Sequence, residues 1–323
     1  MGPNPVVVTA KDRLHTKILY KRPIGSVSPD RDPTGIVING DTPTSTPTSI
    51  PTTSSLGAAA VTTAQATDLP SLSVNLIPAG DPLHGIFHKY MKVFGVSILA
   101  FEGYPDDMIR HVGTVTAEYL DNNEDGVPDN LEVNAAIAED HGTFVLVLDS
   151  SDEWHAVRDR PELSYIQELT TMARFANKGG TICGEDCGEP SDTALEHVPE
   201  LIQRVGYATV FEEFAPVPGA RLALAMDAAR GGDFRTNPDV YPEGAWYTAW
   251  YPYELHFIEY FYWGLVTNLG LVGDTSPGAC AAFVDEWKLC TKSEFQATDT
   301  LLFELLTDPK LNLPTVAPDG VYR

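Results

Sequence analysis

The segment that decides the fold is residues 253–269, YELHFIEYFYWGLVTNL. Within it, residues 257–266 place apolar or aromatic side chains on nearly every side of a helix, as expected of a helix that is buried all round. A helix of this kind needs other helices packed against it. The sequence therefore predicts a mainly α fold of the α+β class, a compact helical body with a few short strands.

Apolar periodicity gives the remaining elements of this body. The run TFVLVL at residues 143–148 predicts a short buried strand, and glycines 179–180, 206, 231–232 and 270 predict helix ends. Helices are predicted over residues 82–100, 106–120, 131–139, 161–177, 192–205, 219–230, 253–269, 279–290 and 296–307.

One acidic residue interrupts the apolar segment. A buried carboxylate such as Glu259 must be paired, protonated or bound to a metal. His256 lies one helical turn earlier on the same side, and a second His-x-x-Glu step is formed by His197 and Glu200 next to Glu196. Carboxylates and imidazoles in a helical core can build a mono- or dinuclear transition-metal site, so these five residues are the catalytic candidates.

Other features favour a structural role for the same residues. The order His-x-x-Glu reverses the Glu-x-x-His order of helical-bundle iron proteins, and the HExxH motif of zinc proteases is absent. Pro199 predicts a helix beginning at its first turn, which would leave His197 outside that helix. The favoured interpretation is a core ion pair or hydrogen bond between Glu259 and a partner such as Arg221 or Arg230.

Residues 121–132, DNNEDGVPDNLE, have the spacing of a calcium-binding loop. Calcium takes six to eight oxygen ligands, so a short loop must turn sharply around it, and Gly126 at loop position 6 permits that turn. The alternative is a solvated acidic turn, since Asn, Asp and Gly favour turns without any metal. The predicted ligands are Asp121, Asn123, Asp125, the carbonyl of Val127, Asp129 and Glu132.

The loop resembles the EF-hand-like single calcium sites of dockerin-like and thrombospondin type 3 repeats. Pro128 occupies position 8, where paired EF-hands hydrogen-bond to a second loop, and the chain has no second copy of the pattern. The resemblance covers about thirty residues. It implies one structural calcium ion and no fold for the rest of the chain.

Charge is unevenly distributed along the 323 residues. The net charge is −24, which argues against nucleic acid as a partner because both would be anionic. Residues 1–40 carry a net charge of +3, so the remaining 283 residues carry −27. The sequence thus predicts an extended, β-rich basic arm over residues 1–41, a Thr/Pro/Ser/Ala-rich linker over 42–69 and an acidic body over 70–323.

The four cysteines form two local pairs in the sequence. Cys183 and Cys187 can close a tight loop, and Cys280 and Cys290 a longer one, so two disulfides are predicted. Disulfides and a calcium loop favour an extracellular or surface location, although residues 1–30 contain no secretory signal. No run of eighteen apolar residues occurs, and no membrane span is predicted.

Three functions fit these features. The first is a calcium-stabilised extracellular or surface structural protein that assembles into an oligomer or polymer when residues 1–41 dock on a neighbouring subunit. The second is a metal-dependent enzyme, hydrolytic or oxidative, with the His/Glu site described above. The third is a ligand- or carbohydrate-binding module that uses the aromatic residues between Trp246 and Trp263.

Overall fold

The computed structural model describes residues 72–146, 156–157, 159–163, 169–172, 176–273 and 275–323. Helices dominate this part of the chain and a small sheet flanks them, so the predicted mainly α, α+β fold class is confirmed. The predicted arm (1–41) and linker (42–69) lie outside the described residues.

The elements are numbered in chain order. Three 3₁₀ turns, Pro161–Leu163, Gly184–Cys187 and Glu212–Phe214, are left unnumbered. The strands are β1 (Asn75–Leu76), β2 (Lys89–Val93), β3 (Val96–Ala100), β4 (Thr143–Leu146) and β5 (Leu169–Met172). The helices are α1 (Asp106–Leu120), α2 (Leu131–Glu139), α3 (Ala194–Leu201), α4 (Ala208–Val210), α5 (Arg221–Arg230), α6 (Tyr253–Asn268), α7 (Ala279–Ala282), α8 (Lys292–Thr298) and α9 (Thr300–Leu306). A π-helical segment (Ile202–Tyr207) joins α3 to α4.

The sheet has the strand order β1-β2-β3-β4-β5. β1, β2 and β3 are antiparallel neighbours, whereas β4 and β5 run parallel to β3. The β2–β3 hairpin turns through Phe94 and Gly95, whose φ values of 46° and 91° are the pair that a tight two-residue turn requires. Because β3 and β4 are parallel, the chain crosses over between them through α1 and α2.

Helix α6 occupies the centre of the body. Every residue from 256 to 268 is buried, which confirms the interpretation of this segment as a helix buried all round. Helices α3, α5, α8 and α9 pack around it. The approach of α9 is so close that a Cβ on Gly264 would lie 2.3 Å from Leu302, so glycine is required there.

Several predicted helices are wrong. Residues 82–100 form the β2–β3 hairpin, whose alternate buried positions were mistaken for helical periodicity. The described residues of 161–177 include a 3₁₀ turn and strand β5. Only Ala279–Ala282 of the predicted helix 279–290 is helical.

Two predicted helix boundaries also differ from the structure. The predicted helix 296–307 is broken by Asp299, which ends α8 and caps α9 by accepting the N–H of Leu302 at 3.1 Å. Gly206 lies inside the π-helical segment and ends nothing. Gly231, with φ of 77°, does end α5 as predicted.

Both predicted cysteine pairs are confirmed. Cys183 and Cys187 have Cα atoms 5.5 Å apart, and Cys280 and Cys290 have Cα atoms 5.4 Å apart, with a disulfide in each pair. Disulfides suit an extracellular protein. Within the described ranges, no helix has both the length and the apolar character needed to cross a membrane.

Candidate metal centre

A small buried pocket lies where α3, α6 and the turn after α7 meet. Its volume is about 90 Å³. Three of the residues that line it, Glu196, His197 and Glu200, come from α3, Glu259 comes from α6, and Glu286 comes from the turn. The lining also includes Asp186 and Asp192, so the pocket gathers six carboxylates and one imidazole. Four of the carboxylates, those of Glu196, Glu200, Glu259 and Glu286, come from α3, α6 and the turn after α7.

The three α3 side chains form the tightest part of this group. His197 Nδ1 lies 2.8 Å from Glu200 Oε2, and one ligating atom from each of Glu196, His197 and Glu200 lies within 4.8 Å of the others. His197 and Glu200 are buried and Glu196 is half-buried. Among the described residues, this is the one place where three such groups converge at that distance.

Pro199 does not begin a helix, contrary to the sequence prediction. It lies inside α3, which already begins at Ala194 and therefore includes His197. A proline removes the backbone hydrogen bond to the residue four positions earlier. Here the carbonyl of Leu195, which loses that partner, accepts a hydrogen bond from the hydroxyl of Tyr119 at 3.2 Å. This replacement allows the helix, and with it the His-x-x-Glu spacing, to continue through the proline.

The two ends of α3 are also held in place. At its beginning, Asp192 accepts the N–H of Ala194 at 3.1 Å, and its other carboxylate oxygen lies 2.7 Å from His111 Nε2. At its end the chain widens into the π-helical segment, a local distortion that occurs often at functional sites. Gly206 in that segment packs so closely on α2 that a Cβ would lie 2.6 Å from Val133.

The predicted ion pair of Glu259 is wrong. Arg221 pairs with Asp308 at 3.2 Å, and Arg230 donates to the carbonyl of Phe234 at 2.7 Å and to Asn237 Oδ1 at 3.2 Å. The side chain of Glu259 makes no hydrogen bond or ion pair with any residue that the structure describes, although Glu259 is only 9% exposed. The charges that act on it are those of other carboxylates, Glu200, Glu286 and Glu196.

Glu286 was missed by the sequence analysis. It lies in a turn within a region predicted to be helical, so no spacing connected it with α3 or α6. It is 8% exposed, and its Oε1 accepts the indole N–H of Trp263 at 3.1 Å. That bond orients the carboxylate toward the pocket, which both residues line.

The carboxylate charges in this pocket repel one another. Burial, together with the charges of Glu200 and Glu286, raises the pKa of Glu196 to about 7, although His197 acts to lower it. Burial, followed by the charges of Glu200, Glu286 and Glu196, raises the pKa of Glu259 well above its ordinary value. The ligating atoms of Glu196, His197 and Glu200 lie within 4.8 Å of one another. Two like charges at that distance repel by about 3.5 kcal/mol at an effective dielectric constant of ~20.

His197 is the one imidazole among these carboxylates. Burial acts to lower its pKa, but the charges of Glu196 and Glu200 and the hydrogen bond to Glu200 outweigh burial and raise the pKa to about 9. The described lining contains no Lys or Arg. A protonated His197 therefore offsets one of the six carboxylate charges that the lining carries when ionised, and the pocket favours protons or cations.

Two polar atoms in the pocket wall have no partner. Glu200 is 2% exposed, and its Oε1 makes no hydrogen bond, while its Oε2 is held by His197. Thr193 is 8% exposed and its hydroxyl oxygen is likewise without a hydrogen bond. Buried polar atoms are nearly always satisfied, but the described residues contain seven other unpartnered buried atoms outside this pocket. The two atoms here support a bound group because they lie beside the converging side chains of Glu196, His197 and Glu200.

His256 does not belong to this pocket, although the sequence placed it beside Glu259. Its Nδ1 lies 3.0 Å from the hydroxyl of Tyr247 and its Nε2 lies 2.9 Å from Asn237 Oδ1. Asn237 Nδ2 donates to the carbonyl of Tyr251 at 2.9 Å, so its Oδ1 must accept from a protonated Nε2. Burial and the nearby charge of Arg230 lower the pKa of His256 to about 3, and the ring is neutral.

The predicted calcium loop forms a turn that is held by its own polar side chains. Asp121 accepts the N–H groups of Asp125 at 3.2 Å and Gly126 at 2.8 Å, and Gly126 has φ of 87°. Tyr322 donates its hydroxyl to Asp121, and the exposed Glu132 follows at the start of α2.

The other predicted ligands of the loop also make bonds within it. Asn123 Oδ1 accepts from Asp125 N at 2.9 Å, Asp125 Oδ1 accepts from Val127 N at 2.9 Å, and Asp129 Oδ1 accepts from Asn123 Nδ2 at 3.0 Å. These bonds fit a calcium loop as well as a metal-free turn. Calcium binding at this loop therefore stays a prediction.

The aromatic residues between Trp246 and Trp263 mostly belong to the core. Tyr247 and Tyr260 are fully buried, and the ring of Trp263 stacks on Trp287 with an interplanar angle of 11°. Trp250 is the large exposed ring in this stretch, at 62%. A single exposed ring gives little support to a carbohydrate-binding surface.

Comparisons with known proteins supply no family for this chain. Neither the protein-family models, nor the curated proteins, nor the solved structures contain a match to it. The function must therefore be argued from the pocket.

Proposed function

We propose that this protein is a metal-dependent enzyme of the hydrolytic class, with a divalent transition metal held by Glu196, His197 and Glu200. The observation that carries the proposal is the convergence of these three groups within 4.8 Å in a pocket that Glu259 and Glu286 also line. One imidazole and several carboxylates form a ligand set suited to zinc, manganese or iron, and the pocket offers no free thiol, since Cys183 is in a disulfide.

The metal supplies Lewis acidity and lowers the pKa of a water molecule bound to it. The protein residues have the remaining tasks. His197 and Glu200 lie on one turn of α3, which fixes their separation, and Trp263 fixes Glu286. A lining carboxylate that does not hold the metal, such as Glu259, would accept a proton from a water molecule bound there, as a general base does.

The charge of the pocket limits the substrate. The described lining has six carboxylates and no lysine or arginine, so negative charge remains in excess of the bound metal and repels phosphate and carboxylate groups. The reacting bond is therefore expected to be a neutral acyl or glycosidic bond, or one next to a cationic group. A pocket of about 90 Å³ is smaller than an engineered apolar cavity of ~150 Å³ that binds one benzene molecule, so the body of the substrate must remain at the mouth.

Elemental analysis of the protein, purified without added metal or chelator, tests this function. Zinc, manganese or iron should be present in near-stoichiometric amount, and Glu200→Gln should remove most of it. Glu243→Gln, an exposed carboxylate outside the pocket, is the matched control and should keep the metal. Metal-loaded protein should also hydrolyse members of a panel of neutral esters, amides and glycosides, and lose that activity on chelation. A preparation that contains calcium but no transition metal would contradict the proposal.

A second metal role is proposed for the loop 121–132, as one structural calcium ion. Support comes from the spacing of its oxygen ligands and from the left-handed Gly126 that the tight turn requires. The loop is also tied to the C-terminal segment, because Asn122 Oδ1 accepts the N–H of Val316 at 3.0 Å and Asn130 Nδ2 donates to the carbonyl of Leu311 at 3.1 Å. A calcium ion here would stabilise a contact between distant parts of the chain.

A further inference from the structure

The number of carboxylates in the pocket exceeds what one metal ion needs. Four glutamates carry a charge of −4 when ionised, and a single divalent cation leaves half of it unbalanced. A second divalent cation balances the four glutamates with a neutral His197. The two other lining carboxylates differ from the glutamates, because Asp192 lies 2.7 Å from His111 Nε2 and Asp186 is exposed. Buried charge of one sign is avoided in proteins unless it is paired or coordinates metal, so the excess needs a counterpart.

The placement of the glutamates divides them into two groups. Glu196 and His197 lie on α3 at one side, whereas Glu259 and Glu286 come from α6 and from the turn after α7. Glu200 interacts with both groups, because it is hydrogen-bonded to His197 and its charge leads the charges that raise the pKa of Glu259. One of its oxygens is engaged by His197, and the other, Oε1, is buried without a hydrogen bond. Oε1 is available to one ion, and Oε2 becomes available to a second ion when metal binding replaces its contact with His197.

The size of the pocket decides between a second ion and an organic cation. An ammonium-bearing ligand would also balance the charge, and the aromatic wall of Tyr251, Trp263 and Phe283 would suit it. However, drug-sized organic ligands occupy pockets of about 300–1,000 Å³, and this pocket of about 90 Å³ has room only for the cationic head of such a ligand. That volume corresponds to about three water molecules, which matches ions with their bound water.

We infer that the pocket is a dinuclear centre, in which Glu259 and Glu286 provide a second divalent-cation position and Glu200 bridges it to the first. This inference rests on the proposed function and extends it. Pairs of metal ions about 3.5–4 Å apart recur in hydrolytic enzymes, where both ions share the charge that develops during the reaction. In this arrangement Glu259 and Glu286 are metal ligands, and their carboxylates hold the second ion beside the position of the attacking water.

Manganese loading of the full-length protein tests the inference directly. The protein is stripped with chelator, dialysed and titrated with Mn²⁺, and bound metal is counted by elemental analysis while electron paramagnetic resonance records the coupling. Binding at the loop 121–132 is removed in advance by the Asp125→Ala substitution, so that only the pocket is counted. About two Mn²⁺ per chain with an exchange-coupled spectrum are expected.

The outcomes separate the two proposals. One Mn²⁺ per chain with the spectrum of an isolated ion would overturn the dinuclear centre and leave the mononuclear metalloenzyme. No bound Mn²⁺, Zn²⁺ or Fe²⁺ would overturn both. These outcomes are measured on a protein whose pocket residues are all unchanged, so the test does not depend on whether pocket variants fold.

Substitutions then assign the second position. Glu286→Gln should reduce the count from about two ions to about one and abolish the coupled spectrum, whereas Glu200→Gln should lose both ions because it removes the bridge. Glu304→Gln, on the exposed side of α9, is the matched control and should retain two coupled ions. Far-ultraviolet circular dichroism checks that each variant is folded. A folded Glu286→Gln protein that keeps two coupled ions would overturn the assignment.

Discussion

The substitution Glu259→Gln should have opposite effects on the metal-free and the metal-loaded protein. In the metal-free protein the buried Glu259 carboxylate faces Glu196, Glu200 and Glu286, and its pKa is raised well above the ordinary value of 4.5 by burial and by these charges. Gln has nearly the same shape without the charge. It should therefore relieve repulsion when no cation is present and weaken the site when a cation is needed.

The size of the effect is limited by protonation. A carboxylate whose pKa is raised on folding binds a proton more tightly in the folded state, so its contribution to stability is complete below pH 4.5 and is lost as the pH rises. At pH 7 the loss cannot exceed about 3.4 kcal/mol, since ~1.36 kcal/mol per pH unit applies over the interval from 4.5 to 7. A buried amide with an imperfect hydrogen bond costs about 1–3 kcal/mol, so the net gain of the variant is smaller than this limit.

The decisive quantity is therefore the pH dependence rather than the stability at one pH. Urea unfolding of chelator-treated wild type, Glu259→Gln and the exposed control Glu304→Gln is measured from pH 4.5 to pH 8. The free energy of unfolding of the variant should fall less steeply with rising pH than that of wild type, by up to ~1.36 kcal/mol per pH unit. Identical slopes for the variant and wild type would refute the account of a charged, metal-free pocket.

Three further predictions concern other parts of the molecule. His256 is buried and neutral, with its pKa lowered to about 3. Its contribution to stability is therefore present above pH 6.5 and is lost as the pH falls toward 3. In urea unfolding at acid pH, His256→Gln should abolish a decline in the free energy of unfolding of about 1.4 kcal/mol per pH unit. If the loop 121–132 binds calcium, a calcium-selective chelator should destabilise the protein by about 2.7 kcal/mol relative to calcium at a hundredfold excess over Kd, and Asp125→Ala should show no such shift in its melting temperature. Deletion of residues 1–55 should leave the helical body folded and abolish oligomers seen by light scattering; a full-length monomer, or a truncated protein that assembles equally well, would contradict assembly through the arm.

The sequence predicted the helical framework well where the periodic signal was long. Helices α1, α2, α5 and α6 begin and end within two residues of their predicted bounds, because each carries a sustained apolar face or is apolar all round. The β2–β3 hairpin was mistaken for a helix, since its strands are five residues long and alternate over too few positions. Local pattern alone does not separate the two structures at that length.

The candidate site was predicted in part. The His-x-x-Glu step on α3 and the buried Glu259 were identified from residue type and spacing, and the structure brings them into one pocket. Glu286 was not identified, because its position depends on how the turn after α7 packs against Trp263. The assignment of His256 failed for a similar reason. Residues three apart on a helix share a side, but Asn237 and Tyr247 hold His256 away from the pocket.

Pro199 shows how tertiary structure can override a local rule. Sequence reasoning placed a helix start there, which removed His197 from the helix and weakened the metal hypothesis. The Tyr119 hydroxyl, far away in sequence, satisfies the carbonyl of Leu195 that the proline leaves open. No single-sequence signal indicates that partner.

Anomalous X-ray scattering from crystals of the metal-loaded protein tests the central claim most directly, because it locates the metal as well as detecting it. Data collected above and below the absorption edge of manganese or zinc should show anomalous density inside the pocket, between the side chains of Glu196, His197 and Glu200. A map with no density in the pocket, or with density only at the loop 121–132, would contradict the account.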